Sequence, residues 1–436
     1  MWANSPLVTF VAMLLAIGGC SRPAPSISSS TARGPVRGDS ARAGSLTETE
    51  NKVVAHLEGL GGRVRHNKDL PDNPVVSVNL SDLEVVDADV KQVANLRDLV
   101  DLSLRGTGVT DAGIKELVTL GSLATLDLCD TRVTGGGLRE LAPLKNLARL
   151  DLSPSQVTDS TLAALREINL LHALSLASAN NRERAANRED ITMLDLSDTG
   201  VTDAGLNELT TLKNLSSIDL KSTKVTDAGV KTLAAHKKLT SIDLRDTQVT
   251  DVGVKDLAKF NNLTRLYLHS TKVTDASLKE FARIKDLAAL GLGWTTVTDA
   301  GLKDLAPLTN LGYLCLYRTR ITDAGLKQLA PLTGLIALEL SDTNVTDAGL
   351  GELAALKNLR SLDVGRTQVT DAGLKKLASM KTLMGLTLSD LPVTDVGLME
   401  LASLPNLSVL GLYQTNVTDE GVERLQKALP NCKIYR

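Results

Sequence analysis

Five histidines, four cysteines and 51 acidic residues are the side chains with which this sequence would do acid–base, nucleophilic or metal chemistry. His56, His66, His172, His236 and His269 fall in unrelated contexts, with no serine or cysteine nucleophile spaced to meet any of them. Cys20, Cys129, Cys315 and Cys432 form no CxxC pair and no Cys/His cluster, so neither a zinc site nor any other metal or cofactor is expected. A disulfide between Cys129 and Cys315 is excluded, because they fall eight strands apart, on the order of 38 Å. Cys432, in Pro430-Asn431-Cys432, takes the slot that Leu407 fills in Pro405-Asn406-Leu407 and reads as core. No phosphate loop or dinucleotide fingerprint is present, and Asp127 with Asp151 is better explained by repetition than by a catalytic carboxylate pair. No catalytic residue is assigned.

What remains is binding chemistry. Tyr267, Tyr313, Tyr317 and Tyr413 alternate with leucines in short apolar/polar runs, which turns them away from the leucine face, and Trp294 follows Gly293 at the end of such a run. Arg265, His269, Arg318 and Glu339 lie alongside. Aromatic rings can be core packing, but at these alternate positions, with arginine beside them, they read as a contact patch of the hot-spot type. A second set, Asp127, Asp151, Asp195, Asp219 and Asp243, recurs at one position of successive runs. It forms an acidic stripe that could draw a basic partner or cations, or simply be a solvated face.

These residues are positioned by a repeat. Val345-Thr346-Asp347-Ala348-Gly349-Leu350 recurs, its threonine falling at 110, 134, 158, 202, 226, 250, 274, 298, 322, 346, 370, 394 and 418. Every step is 24 residues except one, where 202 − 158 = 44 = 24 + 20; a weaker copy, Val86-Asp87-Ala88, precedes them. A fixed period of this length marks a solenoid. In the period from Leu311 to Leu335, Leu311-x-x-Leu314-x-Leu316 reads as a strand with one buried face. Thr322 reads as a helix N-cap, Asp323 as a charge complementing the helix dipole, and Leu326, Leu329 and Ala330 as one apolar helix face. Lys327 and Gln328 point outward, and Pro331 with Thr333-Gly334 ends the helix. The glycine of each copy (Gly325, Gly349, Gly373) costs about 1 kcal/mol in a helix relative to alanine. We read it as letting neighbouring helix starts approach closely.

Over roughly residues 75 to 436 the pattern resembles the leucine-rich repeat family, L-x-x-L-x-L-x-x-N/C/T-x-L. Its Thr-Asp-Ala-Gly-Leu helix start is most like the cysteine-containing subclass of F-box proteins and like repeat lipoproteins of bacterial envelopes. The resemblance implies an α/β solenoid, a curved horseshoe with a parallel sheet on the concave face and helices on the convex face. It also implies a side-chain ladder at the ninth position, here Thr107, Thr131, Ser155, Thr199, Thr223, Thr247, Thr271, Thr295, Thr319, Thr343, Thr367 and Thr415. Their hydroxyls would satisfy backbone groups where the chain leaves the sheet. Leu83, Ala179 and Leu391 break that column.

Four segments follow. Residues 1–20 read as a signal peptide, with an apolar core at 7–17 too short to span a bilayer. It ends in Ile17-Gly18-Gly19-Cys20, which resembles a bacterial lipobox and implies lipidation of Cys20, although no Lys or Arg precedes the apolar run. Residues 21–47, rich in Ser, Pro, Arg, Ala and Gly, read as a disordered tether, and the Arg37-Gly38-Asp39 within it as chance. Residues 48–80 read as an N-terminal cap with the first strand, and 81–436 as repeats with a C-terminal cap. The 20-residue turn after Leu176 has almost nothing apolar in its helix slot (Asn180 to Asp190), so it is a solvated loop or detached helix, functional or decayed.

Composition agrees: 43% of the 436 residues are hydrophobic but only 2% aromatic, so thin layers of Leu, Ile, Val and Ala must build the core. A net charge of −3 gives no global drive towards nucleic acid. The expected function is a non-enzymatic scaffold, exported to a cell envelope and held at its membrane only through a lipid anchor, that binds a protein partner on its concave face. A substrate-recognition subunit of an F-box-type ubiquitin ligase and an envelope glycan-binding protein are the rivals. The first would need an adaptor-binding helical domain where residues 1–47 carry a signal-like segment and a linker.

Overall fold

The computed structural model describes residues 47–179 and 183–436; the leader, Cys20 and nearly all of the tether lie outside them. The chain divides into two compact units, with the division at Lys224/Val225. Both are α/β solenoids of short strands returned by short helices.

In the first unit Thr47 and Glu50 form a reciprocal capping box on the helix Glu48–Gly59, which buries Val53 and Leu57. Strand Arg63–His66 runs antiparallel to Val75–Asn79, which then begins a parallel series through Asp101–Ser103, Thr125–Asp127 and Arg149–Asp151. Short helices such as Asp87–Val93 and Asp111–Glu116 return the chain between strands. In the second unit nine strands from Ser241–Asp243 to Lys433–Tyr435 pair parallel with each neighbour, and every residue faces its counterpart 24 positions on.

One turn shows why. Leu311, Leu314, Leu316, Ile321, Leu326, Leu329, Leu332 and Leu335 are all fully buried. After Leu316 the backbone leaves the strand through a left-handed residue, Arg318 (φ 55°). Thr319 Oγ1 then donates to the Leu316 carbonyl at 2.6 Å. The same bond, from threonine hydroxyl to the carbonyl three residues back, recurs at Thr107, Thr131, Thr199, Thr223, Thr247, Thr271, Thr295, Thr343, Thr367 and Thr415. The hydroxyl ladder is therefore a donor ladder. At Ser155, inside the 3-10 turn Pro154–Gln156, the scheme changes: Gln156 Nε2 reaches back to the Leu128 carbonyl at 3.0 Å and to Thr131 Oγ1 at 3.1 Å.

Thr322 caps its helix as the sequence indicates, accepting from Ala324 N at 3.3 Å. The aspartate beside each cap does more than complement a dipole. Asp299 Oδ1 accepts from Thr322 N at 2.8 Å and its Oδ2 from Thr322 Oγ1 at 2.6 Å, so the acid of one turn clamps the cap of the next. The glycine follows from this clamp: a Cβ on Gly325 would lie 2.2 Å from Asp299 Oδ1. At Asp251 burial works to raise the pKa. Bonds from Ser277 Oγ, Thr274 N and Thr274 Oγ1 outweigh it and hold the carboxyl below its ordinary value.

The irregular turn is passed over on the helix side. Thr202 is clamped by Asp159, 43 residues back, at 2.8 and 2.7 Å. On the strand side the chain makes an extra excursion: Leu174 bridges Leu150, and strand Ala177–Ser178 runs antiparallel to Leu194 and Met193. Among the described residues of its helix slot the only helical element is a 3-10 turn, Arg188–Asp190.

Candidate functional site

Along each strand the leucines turn inward and the residues between them outward. The turn at 265 therefore presents Arg265, Tyr267 and His269, while Leu266 and Leu268 are fully buried. The register lines these up with Ala289, Gly291 and Gly293, then with Tyr313, Cys315 and Tyr317, then with Ala337, Glu339 and Ser341. The middle row has almost no side chains, and its neighbours lean into the gap. A Cβ on Gly291 would lie 2.2 Å from His269 Cε1, and one on Gly293 would lie 2.3 Å from Tyr317 Cδ1.

The rings consequently pack on one another. His269 and Tyr317 have centroids 5.7 Å apart, Tyr267 and His269 stack at 6.3 Å, and Tyr267 meets Tyr313 edge-on at 6.4 Å. Arg245 sits over the Tyr267 ring at 5.7 Å. This corrects the expectation that all these rings are exposed: Tyr313 and His269 are each only 9% accessible, and Tyr267 and Tyr317 are half-buried. The glycine row of the neighbouring strand, not the core, takes them in.

Trp294 is different. It stands 47% accessible at the left-handed position of its turn (φ 55°), where other turns mostly place Asp, Ser or Gly. Arg318, at the same position one turn on, lays its guanidinium 3.7 Å from the indole centroid and pairs with Asp342 at 3.3 Å. Arg265 and Tyr413 are exposed, but Tyr413 is four turns beyond Tyr317, on the order of 19 Å by strand spacing, and joins no cluster.

Burial, aided by the charge of Arg245, pushes the His269 pKa down to about 3, so the ring is neutral at pH 7, and its Nδ1 has no partner. Burial raises Glu339, whose Oε2 accepts from Cys315 Sγ at 3.0 Å, and carries its strand neighbour Asp363 to about 7. Burial also pushes up the thiols, Cys315 well above its ordinary value, Cys129 to about 12 and Cys432 to about 11. None of these three thiols is activated. Among the described residues no group of three His, Cys, Asp or Glu side chains could hold a metal, and no helix is long and apolar enough to cross a membrane.

The acidic residues turn out to be occupied locally. Asp127 Oδ1 accepts from Cys129 N at 3.0 Å, Asp195 Oδ1 from Ser197 N at 3.0 Å, and Asp219 Oδ1 from Lys221 N at 2.9 Å. Asp243 accepts from Arg245 N at 3.0 Å and forms an ion pair with that guanidinium at 2.5 Å, as Asp151 does with Arg149. Asn79 and Asp363 make the same bond to the amide two residues on, so this column closes strand exits. Asp151 and Asp195 are separated by the irregular turn, so even within the first unit the stripe is not continuous.

A family model described as leucine rich repeat matches residues 211–234, 235–258 and 355–378, each one full 24-residue period. With the donor ladder and the in-register strands, this decides the family. The chain belongs to the leucine-rich repeat family. Among solved structures, a Leptospira interrogans leucine-rich repeat protein is 23% identical over 79% of this chain and 80% of its own, at a TM-score of 0.49. An internalin of Listeria monocytogenes is 19% identical over 89% and 94%, at 0.42, and internalin C2 from the same organism 27% identical over 55% and 87%, at 0.35. No curated protein matches the chain. In a leucine-rich repeat each turn need only reproduce its neighbour, so outward residues that break the period are not required by the fold. Trp294 stands out on that count, whereas Arg318 shares its column with Arg366; that the two stack is not legible from the sequence. The signal for Trp294 is a bulky residue in a column of mostly small polar ones.

Proposed function

We propose that this leucine-rich repeat chain is a recognition scaffold that grips a protein partner on the outward face of the sheet around Tyr267, Trp294 and Arg318, and that Cys20 anchors it by lipid to an envelope membrane. The observation carrying the binding reading is the exposed Trp294–Arg318 stack. A bulky residue in the left-handed region costs on the order of 1 kcal/mol, and two consecutive turns bear that cost without burying the indole. Pre-stacked arginine and tryptophan are the side chains enriched at the centres of protein interfaces. A protein partner is favoured over a glycan because few ring faces are free for a sugar: Arg318 covers one face of Trp294, while His269 and Arg245 lie against Tyr267.

The test restores the repeat. Trp294→Asp puts in the residue that Asp246 and Asp342 hold two turns away on either side, and should leave the melting temperature equal or higher while weakening partner capture tenfold or more. The immobilised full-length chain and the variant are compared as bait. Undiminished capture would move the site elsewhere. For the anchor, mass spectrometry of the mature N-terminus should find a lipidated Cys20, and Cys20→Ser should release the chain from membranes; an unlipidated wild-type terminus refutes it.

A further inference from the structure

From Glu183 to Thr192 the irregular turn of the first unit buries only Ala185 and Ile191, yet it is held firmly in place. Arg184 Nη1 donates to the Ala148 carbonyl at 3.0 Å, Asn187 Oδ1 accepts from Glu189 N and Asp190 N, and Asn214 Nδ2 donates to the Glu189 carbonyl at 2.8 Å. Between this turn and the next lies a cavity of about 390 Å3 lined by Arg188, Glu189, Thr210, Thr211, Lys213 and Asn214.

Four buried side-chain N or O atoms without a hydrogen-bond partner are gathered here: His172 Nδ1, Arg188 Nε, Thr192 Oγ1 and Thr211 Oγ1. Two of the four, Arg188 Nε and Thr211 Oγ1, belong to residues that line the cavity. Buried polar atoms are otherwise nearly always paired, so such a concentration calls for a bonding partner.

The chemistry of that partner follows from the donors. A guanidinium Nε–H can only donate, and a threonine hydroxyl can donate, so the missing group is an acceptor. Arg188 Nη2 is on Glu189 Oε1 at 3.0 Å and Lys213 Nζ is on the Thr210 carbonyl at 2.7 Å, which leaves each cation further N–H groups to give. The lining carries two cations against one carboxylate, a net of +1. We propose that this cavity binds a phosphate or sulfate group, with Arg188 and Thr211 donating to its oxygens and Lys213 adding charge. The volume exceeds that of a bare oxyanion, which suits a phosphate carried on a larger molecule as well as a free one.

The test titrates the full-length chain with inorganic phosphate, following amide shifts, and floats it with phosphatidylglycerol or phosphatidylcholine vesicles. Saturable shifts confined to residues 188–214, tenfold or more weaker in Arg188→Gln and in Thr211→Val and unchanged in Lys327→Gln, establish a free-phosphate site. Preferential flotation with phosphatidylglycerol that Arg188→Gln abolishes establishes a headgroup site. Thr211→Val, which keeps the side-chain shape, reports on the site even where Arg188→Gln loosens the turn. Absence of both responses in the wild-type chain, or wild-type responses in both variants, overturns the proposal.

Discussion

Asp299→Ala and Gly325→Ala, made singly and together, probe what joins one turn to the next. Asp299 accepts two bonds from Thr322, at 2.8 and 2.6 Å, and both partners are half-buried. Removing a charged acceptor of two donors that water can partly reach should cost about 2 kcal/mol. Gly325→Ala gains about 1 kcal/mol of helix propensity. Its new Cβ, however, falls 2.2 Å from an Asp299 oxygen that both bonds hold in place, and 3.0 Å from Ile321 Cγ2. Overpacking of that kind costs about 1–3 kcal/mol, so the single variant should lose about 1 kcal/mol net. With the carboxylate gone the nearest of those contacts left is Ile321 Cγ2 at 3.0 Å, a few tenths of an ångström to absorb. In the Asp299→Ala background, therefore, Gly325→Ala should be neutral or slightly stabilising. The expected coupling is about 1–2 kcal/mol, large for residues 26 positions apart in sequence. Urea denaturation at constant m reads the energies, and exchange of the Thr322 amide reads the clamp directly. Equal costs for Gly325→Ala in both backgrounds would refute the account of why the glycine is there.

The donor ladder gives a second prediction: Thr319→Val leaves the buried Leu316 carbonyl without its 2.6 Å partner and should cost about 1–3 kcal/mol. Lys327→Ala on the exposed helix face is its control, and equal melting of the two would remove the ladder from the stability argument. A third concerns acid. The Asp251 carboxyl is held below its ordinary value, so its contribution is present above that value and is lost as pH falls through the lower folded pKa. Ser277→Ala removes one of the bonds responsible, and melting curves from pH 6 down to pH 2 should show a shallower acid limb below about pH 4. An unchanged limb would mean that Asp251 carries none of it.

The period, the strand, the cap and the ladder column were legible because repetition multiplies a weak local signal; Thr319 alone says little, whereas a column of hydroxyls in step says much. Partners across turns were harder. Asp323 looks like a dipole residue of its own helix, and nothing local reveals that its carboxylate bonds Thr346, 23 positions on. Gly325 is legible as a close-approach residue, without the neighbour it approaches. Alternation shows which face the aromatic side chains set out from, but not their burial, which depends on Gly291 and Gly293 in the adjoining strand. Alternation tells which way a side chain sets out; it does not tell what leans over it. The aspartate column was legible as a column, but its strand-exit bonds lie in backbone geometry that residue type alone does not display.

The bond between Asp159 and Thr202 has a consequence for how such a chain can change length. In crystallography an extra half-plane inserted on one side of a lattice is a dislocation, and the lattice heals around it. Here the helix side passes from Asp159–Glu167 directly to Asp203–Glu208 with an ordinary clamp, while the strand side carries the additional material. The two sides keep separate counts, so an insertion need not be a whole multiple of 24 residues to be accommodated. A segment that joins only one of the two counts can lengthen, shorten or acquire new side chains without putting the turns on either side out of phase.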